Sequence, residues 1–88
     1  MIIRLTSQFK KDLKRYKNNA RIIDKLEHII NLLSKGQQVP SIYKPHKLKG
    51  DYLNHMECHI ENDVLLIWLD KVKGTIYLVR LGTHSEVF

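Results

Sequence analysis

Residues 55–80, "HMECHIENDVLLIWLDKVKGTIYLVR", decide how this chain folds. The run "HMECHIE" alternates with a period of two. It places Met56, Cys58 and Ile60 on one side and His55, Glu57 and His59 on the other, the pattern of a half-buried strand. "END" supplies a turn. "VLLIWL" is apolar at both parities, which predicts a central strand covered on both faces. "DKVKG" is the next turn, and "TIYLVR" a third strand. Strands joined by connections this short are antiparallel neighbours, so the stretch is a meander.

Working outward, "IIRL" at the start reads as a further strand. In "SQFKKDLKRYKNN", Phe9, Leu13 and Tyr16 fall on one face of a helix, with Ser7 as its N-cap and Asn18 and Asn19 as its stop. Its opposite face carries Lys10, Lys11, Lys14, Arg15 and Lys17. A second helix is expected from about Ala20 to Leu33, with Ile22, Leu26, Ile29, Ile30 and Leu33 as its apolar stripe and Gly36 just past its end. Between helix and meander, "KGQQVPSIYKPHKLKGD" has no period and reads as a long basic loop. The expected fold class is α+β, in the order β-α-α-β-β-β. Two N-terminal helices pack on one face of a small, mostly antiparallel sheet, and the other face is left open as a cleft.

Eighty-eight residues suit one domain, 1–88. Fifteen basic against nine acidic residues give a net charge of +6, suited to nucleic acid or an acidic partner. A single cysteine rules out an intramolecular disulfide and points to a reducing compartment. The opening "MIIRLTSQFKK" turns charged after two isoleucines, unlike a signal peptide, and no apolar run approaches the roughly 20 residues of a membrane span. A cytoplasmic protein without membrane contact is expected.

Five histidines are many for this length, and histidine alone has an ordinary pKa that serves proton transfer near neutrality. His28 and His55 read as structural or exposed. His46 in the basic loop, His59 on the polar side of its strand and His84 in the tail can converge over the open face, beside Asp63 and Arg80. A zinc site is disfavoured. Cys58 and His59 point to opposite faces, and no ligand spacing such as CxxC or HExxH occurs. No metal or other cofactor is expected. Serine or cysteine nucleophile motifs and glycine-rich phosphate loops are also lacking. The residues present suit RNA strand cleavage by attack of a 2′-hydroxyl on the neighbouring phosphate. That reaction needs a base, an acid and fixed cations, for which Arg80 and the loop lysines Lys44, Lys47 and Lys49 are candidates.

"YKPHKLKGDY", "ECHIENDVLLIW" and "RLGTHSEVF" together resemble the YafQ-like branch of the RelE/ParE superfamily, the ribosome-dependent mRNA-cleaving toxins of bacterial type II toxin–antitoxin modules. The resemblance covers the meander and the tail. It implies catalytic roles for His46, His59, Asp63 and His84, with His84 as general acid, Arg80 holding the scissile phosphate and Phe88 orienting substrate. It further implies mRNA and the ribosomal decoding site as targets, and a cognate antitoxin whose acidic, partly disordered segment wraps the basic surface. Operator DNA would be met only through the antitoxin complex. Val64 stands where some relatives carry an aromatic residue. The competing reading is a catalytically inactive basic module of the same fold that binds RNA or protein. A DNA-binding repressor is disfavoured, since the lysines of the first helix suit phosphates better than base edges. Strict alternation puts Arg80 on the side of Ile76 and Leu78, so its aim into the cleft requires a twist or bulge.

Overall fold

The structure, a computed structural model, describes residues 1–70 and 72–88. The meander forms as the pattern requires: β3 (Met56–Glu61), β4 (Val64–Leu69) and β5 (Thr75–Gly82) pair antiparallel, after β1 (Ile2–Leu5), α1 (Ser7–Tyr16), α2 (Ala20–Ser34) and a two-residue β2 (His46–Lys47). Lys71, in the turn between β4 and β5, lies outside the described residues. The sheet runs β1-β5-β4-β3-β2, with β1 parallel to β5 and the other pairs antiparallel. The α+β class and the mostly antiparallel sheet expected from the sequence are therefore present.

The two helices cover one face. Phe9, Ile22, Leu26, Ile29 and Leu33 are buried against Cys58, Ile60, Leu66 and Leu78, uniting the helical stripes with the apolar parity of the strands. Gly36 takes φ 70°, and the amides of Gly36 and Gln37 donate to the Leu33 and Leu32 carbonyls, closing the end of α2. The second helix starts at Ala20 as expected, but both N-caps differ from expectation. Thr6, one residue before Ser7, caps α1: its hydroxyl accepts from the Phe9 amide at 3.0 Å and donates to the Val79 carbonyl at 3.0 Å. Asn19 caps α2 by accepting from the Ile22 amide at 3.2 Å, so it begins a helix rather than ending one.

Two further differences shape the site. The long connection is ordered: 3-10 turns at Ser41–Tyr43 and Gly50–Tyr52 flank β2, which pairs His46 with Glu57 and Lys47 with Met56. The second face of the sheet is not open along its length. Leu65, Ile67 and Val87 are buried there beneath Leu48, Tyr52 and Val79. A strand apolar at both parities demands cover on both sides, and the loop and the chain's last residues supply it.

The tail is a one-turn helix, α3 (His84–Val87). Thr83 and Glu86 form a capping box: the Thr83 hydroxyl accepts from the Glu86 amide, and Glu86 Oε1 accepts from the Thr83 amide at 2.8 Å. A Cβ on Gly82 would stand 2.8 Å from Glu86 Oε1 and 3.3 Å from Val87 Cγ1. Gly82→Ala is expected to push α3 off the sheet and cost about 1–3 kcal/mol, a drop of several degrees in the melting temperature. An unchanged melting curve would show that the close approach does not matter.

Candidate active site

The β4–β5 register shifts at Arg80: Ile67 faces Arg80, while Trp68 faces Leu78, leaving Val79 as an extra residue. This is the bulge that alternation alone could not supply. It flips parity, so Leu81 returns to the helical core while Arg80 leaves the side of Ile76 and Leu78. Arg80 sits beyond the end of β1 and is only 17% exposed. Its Nε donates to Asp12 Oδ2 at 2.8 Å, and its Nη2 to Asp12 Oδ1 at 3.4 Å and to the Glu86 carbonyl at 3.0 Å. The guanidinium therefore ties α1 to α3. Asp12 is fully buried and also accepts from the Leu81 amide at 3.0 Å and Gln8 Nε2 at 3.2 Å. Burial pushes its carboxyl up, but the bonds from Arg80, Leu81 and Gln8 outweigh that and hold it below the usual carboxylate range.

The outward parity of β3 and the short β2 build a second group. His46 Nε2 lies 3.2 Å from Glu57 Oε1, and His59 Nε2 lies 3.8 Å from the same oxygen. The two imidazoles are 6.1 Å apart, centre to centre. His46 Nδ1 is 2.8 Å from the Lys44 carbonyl, which can only accept, so Nδ1 carries a hydrogen and Nε2 is turned toward the carboxylate. Glu57 is 95% buried, yet its Oε2 has no partner. Such a carboxylate between two histidines is equipped to take up and pass on a proton. The three donor atoms all lie within 4.8 Å of one another, so the same residues could also hold a metal ion, an arrangement that a search for sequence motifs does not detect.

His84 belongs to a third group. Its ring lies 4.8 Å from that of Phe88, which meets Tyr52 edge-on at 5.4 Å, and the Tyr52 hydroxyl donates to the Val87 carbonyl at 3.1 Å. Tyr16 and Arg15 of α1 hold the same helix through Glu86, at 2.8 and 3.4 Å. Burial and the Glu86 carboxylate push the Tyr16 hydroxyl up to about 12, so it stays protonated and donates to Glu86.

The structure thus joins His46 to His59 and His84 to Phe88, with Arg80 fastening α3 from the other side. Asp63 stands apart from both histidine groups among the described contacts. It lines a cavity with Arg21, Lys25 and Glu61, on the α2 side of the β3–β4 turn. Lys44, Lys47 and Lys49 are exposed around β2 and form no ion pair among the described residues. Cys58 is fully buried, and burial raises its thiol to about 12, consistent with a core residue.

Three residues of the site escaped the sequence reading. Glu57 was legible as the acid sharing the histidine face of "HMECHIE". Asp12 could have been noticed as a carboxylate within the Phe9–Leu13–Tyr16 stripe, where an unpaired charge is costly. Tyr52 gave no signal, because only the fold brings it beneath Phe88.

A family model described as the bacterial toxin of a type II toxin–antitoxin system, YafQ, matches residues 1–88. The chain is 30% identical to the mRNA interferase toxin YafQ of Escherichia coli K12 over 89 residues, covering 98% of this chain and 94% of that one. Among solved structures, a metal-bound toxin from Helicobacter pylori is 37% identical with a TM-score of 0.88, covering 100% of this chain and 99% of that one. YafQ in the E. coli DinJ–YafQ complex is 29% identical with a TM-score of 0.84, covering 98% and 96%. With the match running from the first residue to the last, this chain belongs to the YafQ family of toxins of bacterial type II toxin–antitoxin systems.

Proposed function

We propose that this toxin is an mRNA interferase: a single-domain endoribonuclease, residues 1–88, that cleaves mRNA on the ribosome and so inhibits translation. The observation that carries the reading is the buried Glu57 carboxylate between His46 and His59, on the sheet face that ends at His84. The E. coli relative at 30% identity is an mRNA interferase by name, which supports the same activity here.

In this reading the 2′-hydroxyl gives its proton to the His46–Glu57–His59 group, through the imidazole nearest the substrate. The 2′-oxygen then attacks phosphorus, and the bond to the 5′-oxygen breaks as His84 donates a proton to the leaving group. The exposed Lys44, Lys47 and Lys49 draw in the RNA backbone and offset the charge that builds on the phosphoryl oxygens. Arg80 faces the phosphate only with what its bonds to Asp12 and Glu86 leave free. Its larger part is to hold α3, and with it His84 and Phe88, in place. Asp63, at the turn after Glu61 and apart from the histidines, takes no direct part in the proton transfers of this reading.

The partner is a cognate antitoxin with an acidic segment that folds along the basic surface, in keeping with the DinJ–YafQ complexes of E. coli. Operator DNA would be reached only within that complex. Among the described residues no helix is long and apolar enough to cross a membrane, and the cytoplasm, where translation occurs, is the proposed location.

Induced expression without antitoxin tests the proposal. The wild type is expected to arrest growth and to produce discrete cuts in translated messages by primer extension. His84→Ala should reduce cutting by about 100-fold or more, the usual contribution of one acid or base, and relieve the arrest. A wild type that is harmless and produces no cuts would leave only the binding-module reading. Cuts that appear equally without ribosomes would remove the ribosome from the mechanism.

A further inference from the structure

Beside His59, on the opposite flank from β4, opens a cavity of about 300 Å³ lined by Lys25, Tyr43, Lys44, His59, Glu61 and Asn62, with Ile42 at its lip. Two of its side chains, Ile42 and Asn62, serve no packing or hydrogen-bonding purpose in the fold among the described residues. Ile42 is 79% exposed, the most exposed large apolar residue described, although it adjoins the half-buried Tyr43. The Asn62 amide makes no side-chain hydrogen bond among the described residues. Lys44 takes a left-handed backbone, φ 50°, that a residue with a side chain seldom adopts. That conformation turns its carbonyl onto His46 Nδ1, while the residue still lines the cavity. One residue therefore fixes both the orientation of a catalytic histidine and the wall of an adjoining cavity. The Tyr43 ring is itself steadied by His28, 6.5 Å away on α2.

The chemistry of the walls is mixed in a particular way. An aliphatic side chain and a phenol ring provide an apolar surface for a flat aromatic ligand. A free carboxamide offers both a donor and an acceptor to its edge. The cations divide into two sets. Lys25 pairs with Glu61 Oε1 at 2.9 Å, an oxygen it shares with Arg21 outside the cavity, whereas Lys44 has no acidic partner among the described residues. The volume is at the lower end of the range for small-molecule sites, about 300–1,000 Å³. A flat heteroaromatic ring joined to an anion fits this arrangement, and one nucleotide of RNA has that chemistry.

We propose that this cavity is a nucleobase subsite. It receives the base of a nucleotide next to the phosphate that His59 serves, packs it on Ile42 and Tyr43, and reads its edge with Asn62. Lys44 meets the adjoining phosphate. The inference rests on the nuclease reading above and adds to it a place where sequence preference is set.

Two measurements test it, and the first does not depend on cleavage. The full-length toxin is titrated by NMR with AMP, GMP, CMP and UMP at millimolar concentration. The Tyr43 ring and the Asn62 side-chain amide are expected to shift, with one base preferred. Ile42→Ser and Asn62→Ala, both at exposed positions that leave the core intact, should weaken that nucleotide about tenfold, as loss of one stacking or edge contact does. No shift at Tyr43 or Asn62 with any of the four nucleotides overturns the subsite. In the second, cuts in a translated message are mapped for wild type and Asn62→Ala, and the base preference at one position beside the cut is expected to relax. An unchanged distribution overturns the subsite while leaving the nuclease intact. A wild type that makes no cuts overturns the nuclease reading, and the titration then judges the cavity by itself.

Discussion

Arg80→Ala is expected to be the most destabilising single change in this protein that removes no core hydrocarbon. Asp12 has no exposed surface, and Arg80 supplies two of its hydrogen bonds, at 2.8 and 3.4 Å. Without the guanidinium, a carboxylate remains in the interior with the Leu81 amide and Gln8 as its main partners. Breaking one side of such a pair costs about 3–5 kcal/mol, against a total stability of about 5–15 kcal/mol for a domain. The same substitution frees α3 from the Glu86 carbonyl contact, so cleavage should fall with stability.

The dependence on pH gives the sharper test. In the wild type the Asp12 carboxyl is held below its ordinary value of 3.8, so its stabilising effect is present at neutral pH. That effect is lost as the pH falls through the depressed value. In Arg80→Ala burial outweighs the remaining bonds and raises the carboxyl. The variant should therefore gain stability relative to wild type on mild acidification. Asp12→Asn combined with Arg80→Ala should melt above Arg80→Ala alone, because no charge is left unpaired. Chemical denaturation of the three variants across pH is the measurement. A gap between wild type and Arg80→Ala that does not narrow on acidification would show that Asp12 is not the source of the loss.

Glu57→Gln is expected to do the opposite to stability while removing activity. Glu57 is buried with one oxygen unpartnered, and leaving a polar group in that state costs about 1–3 kcal/mol. Neutralising it takes a buried charge away, so the melting temperature should hold or rise. The cleavage rate should drop by about 10²–10⁴, the range for one acid–base group. This pairing is the stability–activity trade-off of a site kept at a cost to the fold. A loss of both stability and activity would assign Glu57 a structural role. A retained rate would leave the proton to one histidine acting alone.

Much of this was written in the sequence. The period-two runs and the apolar "VLLIWL" determined a meander, and the stripe from Ile22 to Leu33 determined a helix that must cover one of its faces. Such patterns are legible because alternation and helical period are local properties of the chain. The polar parity of "HMECHIE" placed His59 on the outward face, and Glu57 with it, although burial of Glu57 depends on β2 pairing across it. Other features were not local. The chain's parity cannot announce a bulge at Val79, which follows from where β1 stops and Thr6 caps α1. The partnership of Arg80 with Asp12 spans 68 residues, and that of Tyr52 with Phe88 spans most of the second half of the chain. The sequence by itself determined the helix and sheet layers and offered the histidines as candidate proton carriers. Only the tertiary structure decided which of them meet. Side chains distant along the chain are brought within bonding distance by packing and register, and the residues that end up paired carry no mark of each other.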